Sequence, residues 1–344
     1  MLHIYFPLRH LLPMEFYTDL FKTHLQEITE SKEPANLYDP VNYIMTLGGK
    51  RIRPALALMS CHLFGVEPSK ALDAAMAIEM FHNFTLIHDD IMDRADIRRG
   101  KMTVHKKWDL NTGILSGDVL LILSYEQLES YEAGLYKELM QLFNKTAVEV
   151  CEGQQMDMDF ELRTDVESQE YFQMIRYKTA VLLGCALEMG AKIAKASPAD
   201  QKAIYDFGVN LGTAFQLQDD YLDSFGGDDF GKRIGGDILE AKKTFLYLKT
   251  LERADAEDRE SILEIFAEPM QLAKDAPTVD EAAASQRIEK VKALYKKYET
   301  DRLLLQEIKD YTHKALQSVE GLSLDQQGKA LLREFSNLLM KRKV

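Results

Sequence analysis

"ALDAAMAIEMFHNFTLIHDDIMD", residues 71–93, decides the fold class. Ala75, Ile78, Phe81, Thr85, His88 and Met92 recur at steps of three and four, the spacing of one face of an α-helix. The chain on either side continues the pattern. No proline occurs between Pro68 and Pro198 and glycine is sparse there, so consecutive helices are predicted. "SPADQKAIYDFGVNLGTAFQLQDDYLD", residues 197–223, opens as a helix should: Ser197 as N-cap, Pro198 at the first helical position, Asp200 in the first turn. Strand-like alternation is weak throughout and no GxGxxG is present. The expectation is an all-α, multi-helix bundle forming a single domain over 1–344.

Composition narrows the function. The chain has 344 residues, 46% hydrophobic, with a net charge of -13. Nucleic acid is disfavoured, since phosphate backbones want a basic face. An anionic substrate remains open wherever local cations reverse the field. Three cysteines, Cys61, Cys151 and Cys185, form neither a disulfide framework nor a CxxC site, which suits a reducing cytoplasm. No apolar run reaches the length of a membrane span. Residues 1–13 are apolar but broken by Pro7, Arg9, His10 and Pro13; they read as a flexible tail, with Met14 as an alternative start. The polar stretch 252–292 reads as a solvated helix, a loop and another helix.

One small motif occurs twice. "DDIMD" holds Asp89, Asp90 and Asp93; "DDYLD" holds Asp219, Asp220 and Asp223. Residues four apart share a helix face, so Asp89 stands above Asp93 and Asp219 above Asp223. Like charges stacked this way repel unless a cation sits between them. Carboxylate oxygens suit magnesium, which keeps waters and bridges to substrate phosphates. After the second copy comes "GGDDFGKRIGGDILEAKKT", a glycine-rich segment with Lys232, Arg233, Lys242 and Lys243, suited to fold over a diphosphate.

A second anion site is expected at "LGGKRIRPAL", residues 47–56. Gly48 and Gly49 allow a tight turn, Pro54 suits the first turn of a helix, and Lys50, Arg51 and Arg53 crowd positive charge at that helix start. His82, about two turns before Asp89, is placed to reach an anion held by Lys50 and Arg53.

Together, "GGKRIRP", "LIHDDIMDRADIRRG", "GQQMD", "YKTA", "FQLQDDYLD" and "GKRIGGDILEAKKT" resemble the trans-isoprenyl diphosphate synthases of the polyprenyl synthetase family, in the family's order and over residues 48–244. The resemblance implies an all-α bundle around a deep central cavity, a homodimer, and a prenyltransferase joining isopentenyl diphosphate head-to-tail to dimethylallyl, geranyl or farnesyl diphosphate. It implies magnesium, about three ions per active site, held by Asp89, Asp90, Asp93, Asp219, Asp220 and Asp223. Arg98, Lys178, Lys232 and Lys242 would grip the allylic diphosphate. Lys50, Arg53, His82 and Arg99 would bind isopentenyl diphosphate. Thr179 and Gln216 would turn oxygens toward the developing cation, with Gln154 and Asp157 in support. Arg94 and Asp96 have no argued role.

The chemistry suits this inventory. Ionising an allylic diphosphate leaves a polyanion and a carbocation; cations stabilise the first, and a dry pocket protects the second. No nucleophile is needed. Product length depends on what blocks the tail. Side chains four to eight places before Asp89 lie roughly 6–12 Å below it, and they include Thr85, Phe84 and Phe81. By the resemblance, Phe84 looks like a floor for a short product, of about fifteen to twenty carbons and leaning to twenty. "DDIMD" lacks the two-residue insertion of many bacterial short-chain members, so a longer-chain quinone-type synthase stays open. A terpene cyclase or a non-catalytic subunit of a heteromeric synthase fits less well, because both carboxylate motifs and the basic turn are intact.

Overall fold

A computed structural model describes residues 12–28, 32–227, 234–267 and 281–341. It is all-α, as expected. The helices are α1 (Met14–Ile28), α2 (Ala35–Thr46), α3 (Ile52–Leu63), α4 (Leu72–Met92), α5 (Val104–Lys107), α6 (Leu110–Leu128), α7 (Ala133–Leu162), α8 (Ser168–Ile175), α9 (Val181–Ile193), α10 (Pro198–Phe225), α11 (Gly236–Leu239), α12 (Phe245–Arg253), α13 (Ala256–Phe266), α14 (Glu281–Lys297), α15 (Thr300–Glu320) and α16 (Gln326–Met340). A π-helical turn, Arg176–Ala180, joins α8 to α9. Among the described residues the only strands are β1 (Ile97–Arg98) and β2 (Lys101–Met102), an antiparallel hairpin. The sequence reading did not foresee it, since two-residue strands leave no alternation to detect.

The chain divides into two compact units. The first holds the described residues up to Lys145 with Leu182–Tyr205 and Gly321–Leu331. Its centre is α4, whose Ala74 to Phe81 are all buried. A helix buried all round is apolar nearly all round; the one charge in this stretch, Glu79, is met by Arg51, and the small alanines let neighbours approach. Close approach recurs at Gly190 of α9, where a Cβ would lie 2.2 Å from the Ala57 carbonyl oxygen. The predicted start of α10 is present: the Asp200 amide donates to Ser197 Oγ at 3.1 Å.

The second unit holds Thr146–Val181, Asp206–Glu320 and the chain from Leu332. Leu217, Tyr221 and Leu222 of α10 pack in its core with Phe245 and Leu246 of α12 and Val291 and Tyr295 of α14. The polar stretch is therefore not solvated all round. Ile262 and Phe266 of α13 and Ala284 and Ile288 of α14 are buried, and the charges lie on the opposite faces. Among the described residues no helix is long and apolar enough to cross a membrane.

Candidate active site

In the first unit, Asp89, Asp90 and Asp93 occupy the last turn and C-cap of α4. The middle residue turns inward. Asp90 is 1% exposed, and Arg98 Nε donates to both its carboxylate oxygens at 2.8 and 2.9 Å, while Arg98 Nη2 lies 2.7 Å from Oδ1. A helix turns about 100° per residue, so Asp90 lies a quarter turn round from Asp89, on the side that faces the interior. The sequence reading gave Asp90 to magnesium beside Asp89 and Asp93; in the structure its carboxylate is paired with Arg98. Asp96 pairs with Lys106 at 3.0 Å.

Arg98 belongs to β1, and Arg99 and Gly100 form the two-residue turn. Both have positive φ, 52° and 73°, the signature of a type I′ hairpin. A non-glycine residue there costs about 1 kcal/mol. Arg99 recovers a contact by reaching back to the end of α2: its Nη1 donates to the Gly48 carbonyl. Gly49, at φ 119°, leaves room for that guanidinium; a Cβ would lie 2.8 Å from Arg99 Cζ. The double glycine of "LGGKRIRP" is thus explained by a close approach as well as a turn.

The rest of the basic turn divides its labour. Arg51, at φ 49°, caps α3 and buries its guanidinium against Glu79 and the Met45 carbonyl, so its role is structural. Lys50 is exposed. Arg53 Nη1 lies 3.3 Å from His82 Nε2, and Arg53 Nε is buried without a partner among the described residues. Burial and the surrounding Arg53, Arg99, Arg98 and Arg51 push His82 well below the ordinary histidine value. A neutral His82 accepts the Arg53 hydrogen bond, so it steers that guanidinium. Burial, and the repulsion of Arg99, likewise lower the pKa of Arg53. Crowded cations and an orphaned donor are what an anion site looks like before its anion arrives.

Below the carboxylates, Phe84 packs on Phe81 with centroids 5.6 Å apart and on His88 at 4.8 Å, and Phe81 meets Phe143 edge-on at 5.3 Å. Thr85 spends its hydroxyl on the His82 carbonyl at 2.8 Å.

The second unit holds the other carboxylates, near the C-terminal end of α10. Asp220 again turns inward: it is buried, Tyr171 Oη donates to its Oδ2, and Gln216 Nε2 donates to its Oδ1 at 3.1 Å. Burial, with Asp237 beside it, raises its pKa well above the carboxylate range. Asp223 accepts the Asp237 amide at 3.0 Å, and burial with the Asp237 charge lifts it to about 7. Lys242 lies 2.9 Å from Glu240 and 3.8 Å from Asp237. Lys232 falls outside the described residues.

Lys178 and Thr179 sit on the π turn. Lys178 Nζ donates to Asp157 Oδ2 at 2.6 Å, and Thr179 Oγ1 donates to Gln216 Oε1 at 3.2 Å. Gly153 of α7 permits this: a Cβ there would lie 2.3 Å from the Lys178 amide. Gln154 Oε1 is buried without a partner among the described residues.

Both motifs place stacked carboxylates at the negative end of a helix, where the macrodipole disfavours anions by about 0.3–1 kcal/mol each. An all-oxygen donor set under that strain fits a hard divalent cation. Among the described residues no three such side chains are already gathered closely enough to hold one.

The polyprenyl synthetase family model matches residues 34–283. The chain belongs to the polyprenyl synthetase family. It is a prenyltransferase with the fold of that family. The synthetase is 40% identical over 252 residues to the short chain isoprenyl diphosphate synthase of Methanothermobacter thermautotrophicus, covering 73% of this chain and 78% of that one. It is 41% identical over 236 residues to the geranylgeranyl pyrophosphate synthase of Geoglobus acetivorans, covering 68% and 74%. A solved geranylgeranyl pyrophosphate synthase superposes with a TM-score of 0.90 at 48% identity, over 97% of this chain and 100% of that one.

Sequence reasoning missed Tyr171, Asp237 and Glu79 in this polyprenyl synthetase. Asp237 had a signal, its place beside the second glycine pair. Tyr171 and Glu79 had none, because a helical tyrosine or glutamate acquires meaning only from what packs opposite it.

Proposed function

We propose that this prenyltransferase joins isopentenyl diphosphate head-to-tail to an allylic diphosphate and releases a short all-trans product of about twenty carbons. The observation that carries this reading is the pair of carboxylate motifs at helix C-termini, accompanied by a separate basic group in which Arg53, His82 and Arg99 lie near one another, with the exposed Lys50 beside them in sequence. One substrate needs metal-bridged carboxylates; the other needs bare cations. The geranylgeranyl names of the relatives favour twenty carbons over a longer quinone-type chain.

Asp89 and Asp93, with Asp219 and Asp223, are the carboxylates that would hold magnesium; Asp90 and Asp220 support them from inside. Bound magnesium would supply charge neutralisation for the departing diphosphate. Arg98, Lys178 and Lys242 add fixed positive charge to the same leaving group, and Lys232 is assigned there by resemblance. As the allylic C–O bond breaks, Thr179 and Gln216 turn oxygens toward the carbocation. The isopentenyl double bond, its diphosphate held by Lys50, Arg53 and Arg99 with His82 steering Arg53, supplies the electron pair for the new C–C bond. The released diphosphate accepts the proton that restores the double bond. Phe84 and Phe81 keep the tail's end dry and set its length.

Four apolar side chains of α6 are exposed: Leu110, Ile114, Leu115 and Ile122, at 52%, 40%, 58% and 57%. Leu115 and Ile122 are seven residues apart and share a face. Such a stripe calls for cover, and we assign it to the homodimer. A cytoplasmic location accords with the free cysteines.

Purified protein incubated with magnesium, isopentenyl diphosphate and each allylic primer should give a geranylgeranyl-sized product by mass spectrometry. No condensation with any primer, or a cyclic hydrocarbon, would refute the reading.

A further inference from the structure

Within the second unit a hydrogen-bond chain runs in one direction. It starts at Tyr171, which is 1% exposed on α8. Its hydroxyl donates to Asp220 Oδ2. The phenol hydrogen is thereby committed to Oδ2, and the amide of Gln216 turns its nitrogen to the other oxygen, Oδ1, at 3.1 Å. That leaves Gln216 Oε1 facing Thr179, whose hydroxyl donates to it at 3.2 Å. With its hydrogen committed, Thr179 Oγ1 keeps its lone pairs for another neighbour. Each orientation follows from the one before, back to a single phenol.

The scaffold around the chain is stiff. Gly212 of α10 faces the π turn so closely that a Cβ would lie 2.8 Å from Ala180 Cα. Gly153 of α7 presses on the backbone of the same turn from Tyr177 to Lys178. Thr179 and Gln216 therefore have little freedom in position. What remains variable is which way the Gln216 amide and the Thr179 hydroxyl point, and that is what Tyr171 and Asp220 decide.

We propose that Tyr171 is a positioning residue for the condensation, acting through Asp220 to orient the Gln216 amide and the Thr179 hydroxyl toward the allylic cation. This rests on the reading that Gln216 and Thr179 face the reacting carbon. It makes the middle aspartate of "DDYLD" an orienting group, in contrast to its outer neighbours. Buried as it is, the Tyr171 hydroxyl has no water to replace it. Without it, one oxygen of Asp220 loses its donor and Gln216 can swing to serve it, which withdraws Oε1 from Thr179. Preorganised dipoles lose their catalytic value when they must reorganise during the reaction.

The test is steady-state kinetics with geranyl diphosphate, isopentenyl diphosphate and magnesium. Tyr171→Phe keeps the ring and its edge contact with Phe172 at 5.8 Å. It should lower kcat about tenfold while both KM values and the half-saturating magnesium concentration stay within about twofold. In a Gln216→Leu background the same change should cost nothing further, because the relay is already cut. Asp220→Asn keeps an acceptor for Tyr171 but offers an NH₂ to Gln216, reversing the amide. It should reproduce the kcat loss without a higher magnesium requirement, and it serves if Tyr171→Phe does not fold. Wild-type kcat in folded Tyr171→Phe or Asp220→Asn would overturn the proposal, as would a change confined to KM or to magnesium dependence. Wild-type kcat in Gln216→Leu would instead remove the reading on which it rests.

Discussion

His82 is a neutral base inside a ring of guanidiniums. Burial, Arg53, Arg99, Arg98 and Arg51 all push it well below its ordinary 6.5. Below about pH 6.5 the unfolded chain therefore binds a proton that the folded chain refuses, and stability falls as pH drops. The metal-free protein should show a lower Tm at pH 5 than at pH 7, and His82→Gln should flatten that difference; equal slopes by circular dichroism would contradict it. Phe84 presents a different residue-scale question. It is 9% exposed and packed between Phe81 and His88, tilted against the first ring and edge-on to the second. A cavity of about 350 Å³, bordered by Met80, Met45 and Leu123, lies one helical turn further along α4. Phe84→Ala should cost about 3 kcal/mol of stability and shift the product beyond geranylgeranyl length. An unchanged product distribution in a mass-spectrometric assay would dismiss Phe84 as the floor.

Two elements are held in place by glycines that admit no side chain. At the end of α2, Gly49 combines φ 119° with the Arg99 guanidinium beside it. Gly49→Ala should displace Arg99 and raise KM for isopentenyl diphosphate about tenfold, with the allylic KM little changed. Similar shifts in both would point to general damage. On α7, Gly153 admits the π turn. Gly153→Ala should push Lys178 and Thr179 out of register, lower kcat by about a hundredfold and lower Tm as well, because the clash is with backbone; wild-type kcat in the folded variant would contradict this. At this scale the sequence was readable wherever the signal was local. The α10 start was legible because Ser197, Pro198 and Asp200 act within one turn. The hairpin was not, because Arg99 sits in the left-handed region only with Gly48 across from it. The π turn was not either, since "RYKTA" has no composition that sets it apart from an α-helical turn.

At the scale of the molecule, the two carboxylate motifs belong to different compact units, Asp89 to the first and Asp219 to the second. The exposed α6 stripe gives the strongest prediction here. If it is the homodimer interface, Leu115→Glu together with Ile122→Glu should halve the mass measured by light scattering after size-exclusion chromatography. An unchanged mass would place the interface elsewhere.

The sequence by itself determined that the chain is helical, that two carboxylate triads end helices, and that glycines and cations cluster after α2. Those features are written in spacings of one to four residues, which local geometry converts directly into faces and turns. Tertiary structure decided the partners. It turned Asp90 to Arg98 and Asp220 to Tyr171, gave Arg51 to Glu79 and left Arg53 to His82. A carboxylate's role depends on the donor that burial brings to it, and those donors lie up to 49 residues away along the chain, beyond the reach of any local pattern.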